Sequence, residues 1–466
     1  MISLRFCGAA GGVTGSGYLV ETGRAQVLVD FGIFQDGDNR RERNRSLGPV
    51  DPRRLGAVVL THAHIDHCGR LPLLIANGFT GSLHATPATL DLLEIMLEDM
   101  AKIEEEDTRR INRRRRRAGE KPLQPLFTSQ QVGQLLQRAR PLPLGNLTKV
   151  ATGVRARAIE AGHIIGSASI ELHIEHGDGE RCLVFSGDLG PGDAPILRDP
   201  EPPTSADLVA LESTYGGRKR PDTRQAVAEF KRIIEKAALD GERVIIPAFA
   251  VGRTQTVLYY LAEAVREGRL SPDFPIYLDS PMATRATQVV TAHPELHDDK
   301  TRQLRDQRQL EADLRGLRII ESVPESIALN DSDHPCIIIS ASGMCEGGRV
   351  VHHLKHNLWR HNAHLMLVGY MAEGTLGRTL LDQPEHVEIL GETIAVRADI
   401  HRIEGFSAHA GHDELLNWLA PMTESRPRVV LTHGEDDARE ALAQAIKERF
   451  DLSAECPGID DVITLE

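Results

Sequence analysis

The chain holds 466 residues, 41% hydrophobic and 26% charged, with 54 Lys and Arg against 67 Asp and Glu for a formal net charge of −13. At about 150 residues per domain, this length suits two or three domains, and the acidic balance weighs against a general nucleic-acid coat, whose surface is normally basic. Six scattered cysteines without a CxxC pair exclude a disulfide framework and a thiolate zinc site. The N-terminus lacks the basic and apolar regions of a leader, and no apolar run approaches the ~20 residues of a membrane helix, which points to a cytoplasmic, soluble protein.

Ile2 to Cys7 and Gly17 to Val20 read as two short strands. The link between them, GAAGGVTGSG, lacks the GK[ST] ending of a phosphate loop and reads as a flexible turn. AQVLVD, ending at Asp30, and GAVVLT, ending at Thr61, are short apolar runs that stop at polar chemistry, as buried strands do when their ends line a site. Over 88–117, Leu90, Leu93, Leu97 and Met100 recur at helical spacing, and the segment ends in RRINRRRRR, seven arginines in nine residues. That run suits either a solvated, partly disordered charge stretch or a phosphate-binding arm. Strands return over 151–190. After the Pro-rich DPEPPTS and the run DLVALEST, from about 213, helices alternate with RVIIPAFA, IYLDSPM, PCIIISASGM and HLMLVGY, which predicts βαβ units on a mostly parallel sheet. From about 395 the strand-rich texture resumes in ADIHRIEGFSAHA, RVVLTHG and DVITLE. A doubly wound insert within a strand-rich domain accounts for this order. His352 and His356, four apart, with His353 and His361 nearby, read as a wet helix face rather than a metal site.

The strongest chemical signal is THAHIDHCG, residues 61–69. Directly after a buried strand, His62 and His64 point the same way and can grip one ion, whereas Asp66 and His67 follow in the next turn and suit a second. A lone HxH is commonly accidental, but the complete HxHxDH after an apolar strand is far more specific. His163 in AGHIIGSAS, Asp188 at the end of CLVFSGD and His433 at the end of RVVLTHG are further strand-end candidates. Each alone could be an ordinary strand cap; together they complete two coordination shells.

In chain order, Asp30, the His62–His67 motif, His163 and Asp188 resemble the successive motifs of the metallo-β-lactamase fold. Glu212 in LESTYG, His409 in FSAHA and His433 in LTHGE resemble the three extra motifs of its β-CASP branch of nucleic-acid nucleases. PAFAVGRTQ, ISASGMCEGGR and VGYMAEGTLGR are similar to its RNA-processing members, related to the pre-mRNA 3′-end-processing (cleavage and polyadenylation) endonuclease. The resemblance implies an α/β architecture: an αββα metallo-β-lactamase sandwich from residues 1–208 and 395–466, with a β-CASP domain on a mostly parallel sheet inserted at 209–394. It implies two Zn²⁺ per chain, one held by His62, His64 and His163, the other by Asp66, His67 and His433, with Asp188 bridging them and Asp30 orienting the site.

Such a pair of ions can share a hydroxide and clamp the attacking and leaving oxygens of a phosphodiester. Two zinc ions, Asp66, Asp188 and hydroxide leave the centre positive although the chain is acidic. His409 is the candidate general acid, with Glu212 fixing its tautomer and Ser407 presenting a hydroxyl to the same phosphate. Ser340, Ser342 and Gly343, at the start of a helix, are candidates for a phosphate, and Arg253 and Arg378 for the RNA backbone. The expectation is a zinc-dependent ribonuclease hydrolysing single-stranded RNA, by endonucleolytic cuts. The alternatives are a DNA-acting β-CASP nuclease, a thioesterase or lactonase, and a non-catalytic RNA-binding scaffold. A homodimer stays open.

Overall fold

The computed structural model describes residues 1–35, 37, 39–177 and 179–466. The chain divides into two compact units, one of residues 1–194, 198–219 and 409–466, the other of residues 195–197 and 220–408.

Two seven-stranded sheets form the first unit. One runs in the order Val462–Leu465, Ile2–Gly8, Gly17–Glu21, Gln26–Val29, Leu55–Val59, Ser82–Ala85, Ala139–Pro141, antiparallel as far as Gln26–Val29 and parallel beyond it. The other runs Ala454–Glu455, Arg428–Thr432, Leu208–Glu212, Gly179–Phe185, Ala168–His176, Val154–Glu160, Thr148–Ala151, with its first three pairings parallel and the rest antiparallel. Side chains alternate across each strand, and both parities are apolar. Val27, Val29, Ala57 and Val59 meet Ile170, Leu172, Leu183 and Phe185 in one core between the sheets. On the far side of the second sheet, Val184, Val209, Leu211 and Leu431 pack against Leu415, Trp418, Leu442 and Ile446 of the helices His412–Leu419 and Asp436–Phe450. Leu28, Val58 and Leu60 of the first sheet are likewise buried on their other face. The helix Pro87–Arg117 packs beside the edge strand Ala139–Pro141. Burial on both faces is why these strands read as unbroken apolar runs, and the layers are αββα.

Helix Pro87–Arg117 starts on a Thr86 cap that accepts from Thr89 N, and it continues through the whole arginine run. The partial disorder expected of that run is not what forms. Arginines in the last turn face the negative end of the helix dipole, which favours them there, and Arg110–Glu106 at 2.7 Å and Arg115–Glu120 at 2.8 Å offset part of their repulsion.

The second unit carries a six-stranded sheet in the order Leu317–Ile319, Ile276–Leu278, Cys336–Ser340, Arg243–Pro247, Ala363–Val368, Asp399–Ile403. Every pairing in it is parallel, with helices between consecutive strands. A hairpin, His386–Ile389 with Glu392–Ala395, is added. The unit boundaries differ from those read at 208/209 and 394/395. Leu208–Glu212 lies between two strands of the first unit, and Asp399–Ile403 pairs with Ala363–Val368 from His364↔Asp399 to Val368↔Ile403. The strand texture of ADIHRI is therefore that of the insert's own edge strand. Its half-polar composition follows from having a neighbour on one side only.

Candidate metal centre

Asp30, His62, Asp188 and His433 follow the ends of strands that have a parallel neighbour in the first unit, and Glu212 is the last residue of another. Ligand sites in parallel sheets gather at those carboxyl ends. After Leu55–Val59 the chain bends at Thr61, is extended at His64 and then makes one helical turn, Ile65–Cys68. The turn brings Asp66 and His67 back towards the strand end.

His62 Nε2 and His163 Nε2 each lie 3.1 Å from His64 Nδ1, and Asp188 Oδ2 lies 3.4 Å from the first and 3.5 Å from the second. Beside this set, His67 Nε2 is 3.1 Å from His433 Nε2, which is 3.4 Å from Asp66 Oδ2. Asp188 Oδ1 reaches to 3.2 Å from His67 Nε2. The two groups are those expected from the sequence, and Asp188 touches both. A tetrahedral ion with Zn–N bonds of about 2.0–2.1 Å would hold its donors about 3.3 Å apart, close to these spacings. Three imidazole nitrogens converging on one point cannot all be satisfied by donating to each other, and buried Asp188 Oδ1 accepts no hydrogen bond. A shared cation satisfies all of them, so the residues fit the metal that the site implies.

The electrostatics of the first set agree, whereas in the second Asp188 and Asp30 override burial and hold His67 well above the usual histidine range. Burial and neighbouring imidazoles push His64 down to about 3 and hold His62 and His163 below the usual histidine range, so all three are neutral, the form that ligates. Burial would raise Asp188, but His433, His67 and His62 overcome it and hold the carboxyl well below its usual range. Asp66 is lowered in the same way, with His433 and His67 opposing burial.

Behind the donors lies an outer layer. Asp30 accepts from Thr61 N and Thr61 Oγ1, each at 2.8 Å, and from His67 Nδ1 at 2.8 Å. Asp30, expected to orient the site, lies in contact with His67 and Thr61. Thr61 Oγ1 also lies 3.1 Å from His62 Nδ1, and Thr214 Oγ1 lies 3.2 Å from His433 Nδ1. Sequence reading misses both threonines as site residues. Thr61 could be found as the residue joining the apolar strand to His62. The glycine-rich link also does more than turn: Ser16 N donates to Asp66 O at 2.8 Å, and Ala9 O accepts from His433 N at 2.7 Å. It holds the backbone of two metal candidates.

His409 stands at the edge of this cluster, 4.6 Å from the His163 ring and 23% exposed. Its Nδ1 lies 3.3 Å from Glu212 Oε1. Glu212 is buried and held by Leu189 N at 2.7 Å and Thr214 N at 3.3 Å. Burial works against a charged imidazole, yet Glu212, with Asp188 and Asp66, overrides it and raises the His409 pKa to about 9.

The remaining candidates belong to the insert. Ser340 is buried and its hydroxyl donates to Asp279 O at 2.8 Å, so the expected offer of that hydroxyl to a phosphate is withdrawn. A carbonyl one strand away takes the proton because Ser340 ends a central strand. Ser342 Oγ accepts from Glu346 N at 3.2 Å. Gly343 packs so closely on Phe249 that a Cβ there would lie 3.0 Å from its backbone nitrogen. Arg253 begins the helix Arg253–Arg266 and lies against Gly369, and Arg378 is half-exposed with Asp382 at 3.8 Å. Ser407 is the penultimate residue of the insert. His352, His356 and His361 are exposed as expected. His353 is not part of that wet face: it is fully buried, 2.6 Å from Asp279 Oδ2 and 2.9 Å from Asn330 Oδ1. It lies one position away from the exposed stripe on the helix.

Comparison with known proteins decides the family. Residues 10–248 match the metallo-beta-lactamase superfamily, residues 254–380 the Beta-Casp domain, and residues 393–457 the Zn-dependent metallo-hydrolase RNA specificity domain. A ribonuclease of Thermus thermophilus is 40% identical over 94% of this chain and 94% of its own length. The chain belongs to the β-CASP branch of the metallo-β-lactamase superfamily. It is a hydrolytic nuclease of that branch, with a metal cofactor. Transcription termination factor FttA of Pyrococcus abyssi is 32% identical over 97% of this chain and 69% of its own. A protein of unknown function from Enterococcus faecalis shares the fold over the full length of both chains, at 14% identity and a TM-score of 0.57. No helix among the described residues is long and apolar enough to cross a membrane.

Proposed function

We propose that this β-CASP enzyme is a di-zinc ribonuclease that cuts single-stranded RNA endonucleolytically in the cytoplasm. The observation that carries the reading is the Glu212–His409 pair beside two convergent donor sets joined by Asp188. The ribonuclease and termination-factor relatives support RNA as the substrate. When bound, two zinc ions supply Lewis acidity, lower the pKa of a water and offset phosphate charge.

The protein's own residues do the rest. Glu212 accepts the His409 Nδ1 proton, so the second proton sits on Nε2. With its pKa raised to about 9, His409 is an imidazolium at neutral pH and can give that proton to the leaving oxygen. Asp30 orients His67 through Nδ1, and Thr214 does the same for His433. On the insert, Arg253 and Arg378 are our candidates for phosphate contacts, with Ser342, Gly343 and Ser407 as further polar contacts.

The test is cleavage of an RNA with both ends blocked, which only internal cuts can shorten. Cleavage should disappear on zinc removal, return with zinc and be absent in His64→Ala. Activity persisting in chelated protein and in His64→Ala would overturn the reading. Turnover of thioesters or of single-stranded DNA with none of RNA would replace the substrate class.

A further inference from the structure

His364 and His401 face one another across the two last parallel strands of the insert, with His364 Nδ1 3.0 Å from His401 Nε2 and the rings stacked at 5.2 Å. Asp399 is two residues before His401, so both side chains leave the strand on the same face. Its carboxylate lies 3.8 Å from His364 Nδ1. One donor atom from each of the three residues falls within 4.8 Å of the others.

The tautomer of His364 is settled by its other nitrogen. Nε2 lies 2.6 Å from Glu242 Oε2, and against a carboxylate that nitrogen must carry the proton. A neutral His364 therefore presents a lone pair from Nδ1. A histidine whose rear N–H is held by a carboxylate and whose front nitrogen meets a second histidine and a carboxylate has the donor arrangement of a metal ligand with its outer support. Burial and His364 together lower the pKa of His401, which favours the neutral form a ligand needs. Two nearby cations on the helix Thr223–Asp240 have partners of their own: Arg232 pairs with Glu229 at 2.7 Å and Lys236 with Asp240 at 3.0 Å. Glu242 Oε2 is shared with Lys236 Nζ at 4.0 Å, so Asp399 is the main carboxylate facing a positive charge at the histidines.

We propose that His364 Nδ1, His401 Nε2 and the Asp399 carboxylate form a third metal site, for a borderline divalent cation of the zinc class. Two imidazoles and one carboxylate suit such an ion better than magnesium or calcium, which prefer all-oxygen shells. Asp399 is 67% exposed while His364 is buried, so the ion enters from the Asp399 side and water completes its shell. Bound there, it fastens the edge strand Asp399–Ile403 to Ala363–Val368, tying the last strand of the insert to its sheet. The site owes nothing to the His62–His433 cluster and stands whether or not that cluster takes two zinc ions.

The experiment is anomalous diffraction at the zinc absorption edge from crystals of the full chain equilibrated with zinc, paired with zinc stoichiometry of the dissolved protein. A peak bounded by His364, Asp399 and His401, with saturating zinc lower by one ion per chain in His401→Ala, is the expected result. Asp399→Asn changes only an exposed side chain, and it should lose the same ion with the fold intact. Glu242→Gln should weaken that ion's binding ~10–100-fold. The difference between wild type and these variants does not depend on how many ions the other cluster holds. Equal zinc in wild type, His401→Ala and Asp399→Asn, with no peak at the histidines, would overturn the proposal and leave a plain His401-to-His364 hydrogen bond.

Discussion

The Asp30 carboxylate lies 2.8 Å from His67 Nδ1, and the opposite nitrogen of the same ring faces His433 at 3.1 Å. This relationship decides which nitrogen of His67 is available. Asp30 is acceptor-only, so it takes the Nδ1 proton and leaves the Nε2 lone pair for a metal. In Asp30→Asn the amide would turn a donor towards either Thr61 or His67 and would favour the tautomer with its proton on Nε2. Zinc affinity should fall ~10–100-fold, read by competition with a chromogenic chelator, with RNA cleavage falling in parallel. Unchanged affinity would mean that Asp30 serves only the strand end through Thr61.

The pair Glu212–His409 gives a pH prediction whose sign follows from its proton. Glu212 raises the His409 pKa, and the acid form, present below about pH 9, is lost as pH rises through that value. The rate should therefore hold across neutral pH and decline on the alkaline side. Glu212→Gln removes the charge that favours imidazolium, so the alkaline decline should begin at lower pH. His409→Ala should lower kcat ~10²–10⁴-fold with zinc content unchanged. If the Glu212→Gln profile has the same alkaline limb as wild type, His409 is not the acid.

The candidate donors are legible in the sequence because most lie just beyond strand ends, where polar side chains can meet without breaking a core. Asp30, His163, Asp188 and His433 are far apart in the chain, yet each lies just beyond a predicted strand, and their order in the chain carries the family resemblance. What is illegible depends on neighbours in space. Ser340 looks like a phosphate contact until Asp279 O is found taking its proton. His353 looks like its exposed neighbours until Asp279 and Asn330 are found around it. The Asp399–Ile403 strand reads as part of the other unit because an edge strand of mixed polarity carries no mark of the sheet it joins. The same holds for the Glu242–His364–His401 chain, whose members are far apart in sequence and meet only through strand register.

Gly32 offers a test of how tightly the metal motif is built in. A Cβ at this position would lie 1.5 Å from Asp66 O and 2.4 Å from His67 N. The backbone here also binds the motif directly, with Phe31 N donating to His67 O at 2.7 Å and Ile33 N to Ile65 O at 2.9 Å. Gly32→Ala must displace the turn that carries Asp66 and His67. We expect a loss of more than ~4 kcal/mol, in the range reserved for severe core disruptions, together with loss of zinc. Gly133→Ala is the matched control: it lies in the helix Ser129–Leu136, where a Cβ meets nothing within 4 Å, and should stabilise by up to about 1 kcal/mol. Thermal unfolding and metal analysis of the two variants measure both effects. A Gly32→Ala protein with full zinc and an unchanged melting temperature would show that the turn can move without cost.

The arginine run supplies the last prediction, because its helical form gives it a defined geometry. Arg113, Arg114, Arg116 and Arg117 are all exposed on the final turns of the helix Pro87–Arg117. Their charge stands against a chain of net −13. A phosphate chain is the partner such a cluster suits, and each phosphate neutralised releases condensed counterions, which sets a salt slope of about −0.7 per neutralised phosphate for single strands. Replacing these four by Gln should weaken RNA binding at low salt. It should also flatten the plot of log affinity against log salt by ~0.7 for each phosphate that keeps its counterions, up to roughly 3. The effect should appear in KM, with kcat at saturating RNA unchanged, since none of these residues is among the metal donors or the Glu212–His409 pair. Retention of the wild-type slope would assign the run to a solvated helix end whose arginines serve the helix dipole and nothing more.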